Sequence, residues 1–287
     1  MSKTLSVIVA GINTERWLPC WEAINKAFTG EWELIFVGPN PPPPEVDAKG
    51  NVRYFEDFGC PSRCMQRGLV HALNDWVMFT WDNGEMVPNS VDEIFMLLET
   101  AGMDENVAIS GKYIEGTLPV SQEYMSSDLY YQINHHAGAM SPHIPDNFIL
   151  FNIGVVARKT IIEYGGLDCV FEAPSMALVD LAVRMQKGGV KIILKPEVIL
   201  HEDWAPGTDG AHGPIHYAMI EHDMPLYATI YENNKLDPKT IEAASIIYKD
   251  QFDAYRAAGC SDRLIVNLDN WKLRPDTWER RFKNEAE

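Results

Sequence analysis

The feature that most constrains this chain is the alternation of short apolar runs with amphipathic segments over its first 80 residues. Four apolar runs are typical of buried strands, at positions 5–10, 33–37, 52–55 and 77–80. Segments with helical periodicity separate the first from the second run, at 17–28, and the third from the fourth, at 64–73. The order β-α-β-β-α-β predicts an α/β fold with a mainly parallel sheet and helices on its faces.

The remainder of the chain continues this pattern and then departs from it. Further elements are expected as strands at 107–111, 151–157 and 190–194, and as helices at 90–99 and 177–187. Residues 112–150 are mixed and aromatic, and we expect an insertion over an edge of the sheet. From residue 213 the pattern is helical. The sequence therefore predicts a sheet domain over 1–212 and a C-terminal helical extension over 213–287.

Composition and charge narrow the class of protein. The chain has 287 residues, of which 46% are hydrophobic, so it can bury a sizeable core. A net charge of −17 repels phosphate backbones and disfavours general nucleic-acid binding, although a bound cation can still hold phosphate groups. The odd count of five cysteines favours reduced thiols, and the first apolar run is too short for a signal core or membrane span. We therefore expect a cytoplasmic protein with no integral membrane segment.

One acid stands directly after the fourth predicted strand. Asp82 follows the apolar run that ends at Thr80 and Trp81. Ligands of open α/β sheets collect beyond the carboxyl ends of the strands, and a rigidly held carboxylate there suits a divalent ion. The same stretch, Asp82-Asn83-Gly84, is also a favourable turn sequence. Taken alone, the residues leave a metal ligand and a turn aspartate equally open.

Short motifs with a fixed order surround this acid. They are Asn13 in the turn after the first strand, the stretch 59–68 followed by Ala72, Trp81-Asp82-Asn83 followed by Pro88, Gly165-Gly166-Leu167-Asp168 followed by Phe171, Asp180-Leu181-Ala182-Val183-Arg184 followed by Gly189, and His201. This ordered set, over roughly residues 5–204, resembles glycosyltransferase family 2, whose members have the GT-A fold. The chain is identified as a divergent member.

The resemblance implies a nucleotide-diphosphate sugar as donor substrate, bound in the crevice at the strand ends. Asp82 and His201 would then hold Mn²⁺ or Mg²⁺ on the diphosphate, where the ion neutralises charge on the leaving group. His201 can also be a plain surface histidine at a strand end. The residues that would line the nucleotide are Ala10, Gly11, Asn13 and Gly38. Arg63 or Arg67 would pair with a phosphate, or each is a solvated helix arginine.

The sequence departs from the family pattern in three respects. The second strand ends on Gly38, where the family carries an aspartate that reads the base. Trp81 stands at a carboxylate position of the family's D-x-D motif. The family's E-D pair, which contains the general base, falls on Ala177 and Leu178, and neither accepts a proton.

Two other acids are candidates for the base. Asp180 serves only if its helix is rotated or the register slips, and it is otherwise a structural helix residue that bonds the turn before it. Glu172, in the loop before that helix, is the second candidate. A retaining mechanism would not need this base.

Three hypotheses of function follow. The first is a metal-dependent glycosyltransferase that moves a sugar from a nucleotide-diphosphate sugar to an unidentified acceptor, such as a glycan or a small molecule. The second is a catalytically silent relative that binds a nucleotide sugar or a partner. The third is a glycosyltransferase acting on modified DNA bases, with Arg63, Arg67 and Lys112 beside the cleft.

Overall fold

The computed structural model describes residues 3–115, 118–120, 149–151, 153–202 and 218–227 of the chain. Most of the predicted insertion at 112–150 and most of the predicted C-terminal helical extension lie outside the described residues. Those two expectations therefore stay predictions.

Nine described strands form one sheet. They are β1 Thr4–Ala10, β2 Glu31–Gly38, β3 Val52–Glu56, β4 Trp76–Thr80, β5 Gly84–Met86, β6 Val107–Glu115, β7 Leu118–Val120, β8 Gly154–Ala157 and β9 Lys191–Glu202. Their spatial order is β3-β2-β1-β4-β8-β6-β9-β5, and β7 pairs with β6. Strands β1 to β4, β6 and β9 share one direction, whereas β5, β7 and β8 run opposite to their neighbours. The predicted α/β class with a mainly parallel sheet is confirmed.

Helices cover both faces of the sheet. They are α1 Trp17–Ala27, α2 Pro44–Asp47, α3 Pro61–His71, α4 Ser90–Thr100, α5 Arg158–Glu163 and α6 Pro174–Lys187, with a 3-10 turn at Thr14–Arg16 and a π-helical turn at Ala218–Asp223. Alternate residues of each central strand point to opposite faces, so the core has two halves. Val7, Val9 and Met78 face the half under α1 and α4, while Ile8 and Phe79 face the half under α3 and α6.

The helix directions place several helix N-termini at one edge of the sheet. Helix α3 follows β3 and returns to the start of β4, so it begins where the parallel strands end. Helix α6 precedes β9, which runs in the same direction as β6, and therefore also begins at this edge. We call this side, where β1 to β4, β6 and β9 end, the carboxyl edge. It carries the partial positive charges of the helix N-termini.

The element boundaries differ from the predicted ones at four places. Helix α6 begins at Pro174 and not at 177, and the strand predicted from 151 begins at Gly154. Strand β9 continues to Glu202, well past the predicted end at 194, because its second half pairs with β6 and β5. Strand β6 likewise extends to Glu115, inside the stretch predicted as an insertion.

The segment 218–227 packs against the sheet domain. Met224, Leu226 and Tyr227 are buried in the same core half as α3 and α6. The described core thus includes residues beyond 212, although the division at 212 itself stays a prediction. Within the described ranges, no helix has both the length and the apolar character needed to cross a membrane.

Candidate functional site

Two glycines allow the segments after β1 and β2 to approach each other closely at the carboxyl edge. The Gly11 N–H donates to the Val37 carbonyl oxygen at 3.1 Å, and a Cβ on Gly38 would lie only 2.1 Å from the Gly11 carbonyl oxygen. Asn40 Nδ2 donates to the Ile12 carbonyl oxygen at 3.1 Å and ties the two segments together. The segments after β1 and β2 therefore form a close-packed floor at this edge, with no side chain at positions 11 and 38.

The Asp82 carboxylate lies over this floor. Its Oδ2 is 2.5 Å, and Trp17 Nε1 is 2.9 Å, from the position that a Cβ on Gly11 would take. The Trp17 ring is held by stacking on Phe36, with the ring centroids 4.1 Å apart. Asp82 Oδ2 and Trp17 Nε1 are both buried without a hydrogen bond of ordinary geometry. Glycine at position 11 is what leaves space for the acid.

Burial raises the pKa of Asp82 to about 7. The Trp17 indole N–H, the Asn13 backbone N–H and the Arg16 charge lower it, but these opposing effects are smaller than the desolvation. The charge of Glu15 raises the pKa further. The N–H donors and Arg16 therefore offset only part of the unfavourable free energy of the ionised carboxylate. A cation bound at this point would stabilise the ionised form.

His201 is exposed near the end of β9, where two ladders position it. It lies opposite Glu85 of β5 and opposite Ile114 of β6. Strand β5 begins two residues after Asp82, so the β5–β9 pairing brings His201 to the same edge of the sheet as that acid. Among the described residues, no group of three His, Cys, Asp or Glu side chains is placed to hold a metal ion.

The two helix arginines share a partner that sequence reasoning missed. Asp57 is 3% exposed and forms ion pairs with Arg63 Nε at 3.2 Å and with Arg67 Nη1 at 2.9 Å. It also accepts a hydrogen bond from the Gly59 N–H at 2.8 Å. The position of Asp57 directly after β3 was the available signal, by the same argument that identified Asp82. This acid lowers the net positive charge that the arginines offer to a nucleic-acid strand.

Glu172 lies where helices α3 and α6 begin. It is 1% exposed, and its carbonyl oxygen accepts a hydrogen bond from the Ser62 N–H at 3.4 Å. Burial raises the pKa of the neighbouring Cys60 thiol, and the charge of Glu172 raises it further. Glu172 is therefore a buried acid near two helix N-termini, which stabilise negative charge.

Asp180 has a different environment, inside the core. It is 0% exposed and accepts a hydrogen bond from Arg184 Nε at 2.9 Å. Arg184 also donates to the carbonyl oxygens of Tyr164 and Gly166. The ion pair agrees with the alternative interpretation of Asp180 as a structural residue, although its partner lies one turn after it.

Comparison with known proteins identifies the fold class. No protein-family model matches the sequence, and a search of curated proteins finds no match. The structure is similar to that of S. aureus TarS, with a TM-score of 0.51 and 11% identity over 99% of this chain and 53% of that chain. It is also similar to TarS 1-349, with a TM-score of 0.50 and 10% identity over 99% of this chain and 92% of that chain.

A third solved structure, TarS 1-349 in complex with UDP, gives a TM-score of 0.51 and 11% identity with the same two coverages, 99% and 92%. TarS is a GT-A-type glycosyltransferase. The present chain spans about half the length of the longer TarS chain. At this identity the similarity establishes the fold: the chain has a GT-A-type α/β architecture.

Proposed function

We propose that this protein is a glycosyltransferase that takes a sugar from a nucleotide-diphosphate donor. The observation that carries the proposal is the Asp82 carboxylate, held over Gly11 at the carboxyl edge of a GT-A-type sheet. UDP is bound in one structurally similar protein, which supports a nucleoside diphosphate as the ligand class. The acceptor, whether a glycan or a small molecule, is open.

A divalent ion fits the residues of this edge. Mg²⁺ is commonly held by one or two carboxylates together with substrate phosphates and waters, so the lack of a three-residue cluster among the described positions agrees with an ion that arrives with its donor. Asp82 would hold Mn²⁺ or Mg²⁺, and His201 is the second candidate ligand. The ion, when bound, supplies Lewis-acid stabilisation of the leaving diphosphate.

The other residues of the edge have separate roles in this proposal. The turns at Gly11 and Gly38 let the donor approach the backbone closely. Ala10 and Asn13 line the same turn. Arg63 and Arg67, oriented by Asp57, supply positive charge toward the diphosphate at the N-terminal turns of α3.

Glu172 is the base that the geometry favours over Asp180, because Asp180 is committed to Arg184 inside the core. Glu172 would take the proton of the acceptor hydroxyl as its oxygen bonds to the anomeric carbon. The bond from that carbon to the diphosphate oxygen breaks, and the nucleoside diphosphate leaves. Because Glu172 is buried, this step requires the acceptor hydroxyl to reach the region where α3 and α6 begin.

A catalytically silent relative is the second candidate function. Ala177 and Leu178, at the positions of the family's E-D pair, are both buried in the core. Such a protein would bind the nucleotide sugar without turnover. Release of free nucleoside diphosphate from any donor of a panel, with wild-type protein and a matching acceptor, would exclude this candidate.

The proposed function is tested by ligand-induced stabilisation. We expect UDP with Mn²⁺ to raise the melting temperature of the wild-type protein by several degrees, and Asp82→Asn to lose the Mn²⁺-dependent part. Asp104→Asn is the matched control, because Asp104 is exposed beside the start of β6, far from the carboxyl edge, and caps a local turn. An equal Mn²⁺-dependent rise in Asp82→Asn would contradict the assignment of this residue.

A further inference from the structure

A second buried acid lies beside Glu172 and comes from the far end of the described chain. Asp223 is 0% exposed and belongs to the π-helical turn Ala218–Asp223. Its carboxylate accepts hydrogen bonds from the Glu172 N–H, at 3.0 and 3.1 Å to the two oxygens, and from the Ala173 N–H at 2.7 Å. These bonds join residues 50 and 51 positions apart in the sequence.

The reason for this contact is the sequence at the start of α6. The N-cap residue is Ala173, which has no side-chain acceptor, and the first helical residue is Pro174, which has no N–H. The Glu172 and Ala173 N–H groups precede the first intrahelical hydrogen bond, so their acceptor must come from elsewhere in the fold. Asp223 provides it, and its negative charge is stabilised by the N-terminal end of α6.

His222 and the residues around it hold Asp223 in this position. His222 Nδ1 is 2.5 Å from Asp223 Oδ1, and both side chains are fully buried. On the C-terminal side, Leu226 and Tyr227 enter the core, where the Tyr227 ring contacts Phe171 at a centroid distance of 6.1 Å. The segment is thus anchored on both sides of Asp223, so the carboxylate has little freedom to move.

We propose that Asp223, held by His222, is a positioning residue that orients Glu172 for proton transfer. The inference rests on the proposed function, in which Glu172 is the base. Because Asp223 binds the backbone N–H of Glu172 itself, it determines how the main chain enters α6 and therefore where the Glu172 carboxylate lies. The donor-binding turns at Gly11 and Gly38 belong to other parts of the edge, so donor binding does not depend on it.

The test separates turnover from donor binding. Asp223→Asn keeps the size of the side chain but replaces one acceptor oxygen by an NH₂ group that cannot accept the Glu172 or Ala173 N–H. We expect kcat to fall roughly 10- to 100-fold, as for small misplacements of a reacting group, with donor KM and UDP affinity unchanged. Leu226→Ala is the matched control: it weakens the packing of the same segment, lowers the melting temperature, and leaves kcat near the wild-type value.

A double variant shows whether Asp223 acts through Glu172. Glu172→Gln alone removes the base. Adding Asp223→Asn should cause no further loss of activity, because the effects of substitutions in residues that act as one unit are not additive. A further loss in the double variant overturns the inference, as does a wild-type kcat in Asp223→Asn or an equal kcat loss in Leu226→Ala.

The remaining outcomes distinguish a failure of the Glu172 base assignment from a failure of the positioning role of Asp223. Full turnover by Glu172→Gln refutes the base assignment and the inference together, whereas turnover lost in Glu172→Gln but kept in Asp223→Asn refutes the inference alone. A folded Asp223→Asn that no longer binds UDP overturns the inference. If Asp223→Asn does not fold, His222→Gln takes its place in the same assays, since it leaves the Asp223 carboxylate intact and loosens its support. We expect a lowered kcat at unchanged UDP affinity, and an unchanged kcat in that variant overturns the inference.

Discussion

Asp82 and Asp180 both stand in motifs that the sequence singled out, but the structure places them in opposite circumstances. Asp180 lies inside the core beside Arg184, so the positive charge that compensates it belongs to the fold. Asp82 lies at the carboxyl edge, where burial raises its pKa to about 7 because the nearby N–H donors and Arg16 compensate it only in part. Arg184 therefore compensates the charge of Asp180 within the protein, whereas a bound cation would compensate the charge of Asp82 more completely.

This difference shows why a buried acid does not by itself mark a site. A buried charge with its partner in the chain contributes to folding, and the loss of either partner is costly. A buried charge that the protein compensates only in part lowers the stability of the fold. Groups of this kind are concentrated at functional sites. Substitutions at Asp180, Gly11, Asp82 and His201 test this difference.

The largest effect is expected at Asp180. Asp180→Ala leaves Arg184 charged in the core, and we expect the free energy of unfolding to fall by about 3–5 kcal/mol, measured by urea denaturation. Replacing both residues with apolar ones of similar size, Asp180→Leu with Arg184→Met, should recover much of the loss. A loss below about 1 kcal/mol in Asp180→Ala would mean that the pair is not the structural unit described above.

The second prediction concerns the glycine under Asp82. Gly11→Ala brings a Cβ to 2.5 Å from Asp82 Oδ2, so the carboxylate must move. We expect donor turnover to fall roughly 100-fold, as for other misplacements of about 1 Å. Gly50→Ala is the matched control, because its Cβ would meet nothing within 4 Å. Equal turnover by the two variants would show that the position of Asp82 is unimportant.

The third prediction is a pH dependence of stability in metal-free protein. The folded-state pKa of Asp82, about 7, is above its value of 3.8 in the unfolded chain, so the folded state binds more protons between these values. Stability contributed by the protonated acid is complete below pH 3.8 and is lost as pH rises through 7.

Asp82→Asn, which does not titrate, should therefore be more stable than the wild-type protein at pH 8 by about 1–3 kcal/mol, with the difference vanishing toward pH 4. Thermal unfolding in EDTA at a series of pH values measures this. A constant difference across the series would refute the raised pKa.

The smallest effect is expected at His201. This residue is exposed and lies opposite Glu85 across the β5–β9 pair, so His201→Ala should change the free energy of unfolding by less than about 0.5 kcal/mol. As a second ligand beside Asp82, it should change the Mn²⁺ concentration for half-maximal turnover by roughly 10-fold, the lower end for a lost metal contact. An unchanged Mn²⁺ dependence in His201→Ala would show that His201 is not a metal ligand and would leave Asp82 as the candidate.

Much of the scaffold was predictable because its signals are local. The boundaries of strands β1 to β4 and helices α1 and α3 were predicted to within a few residues, since apolar runs and the helical period depend on neighbouring positions. The extension of β9 to Glu202 was not expected, because that half of the strand is defined by pairing with β6 and β5. The three-residue strand β5 has too little sequence to show a period.

The candidate site was predictable only in part. The position of Asp82 after a strand indicated the edge correctly, and the same rule applied to β3 would have found Asp57. Asp223 has no such signal, since it lies in a π-helical turn and its partners Glu172 and Ala173 are 51 and 50 residues earlier, respectively. Sequence spacing carries no information about that contact.

The class of fold, the direction of most strands and the acid after β4 could be predicted from the amino-acid sequence alone. These features follow from continuous apolar runs and from the helical period of 3.6 residues, which depend on neighbouring positions. The compensation of each acid depends on the folded structure: Arg184 compensates Asp180, the N-terminal end of α6 compensates Asp223, and Asp82 is compensated only in part. The reason is that the free energy of a buried charge depends on the groups packed around it, and packing joins residues that are far apart in the chain.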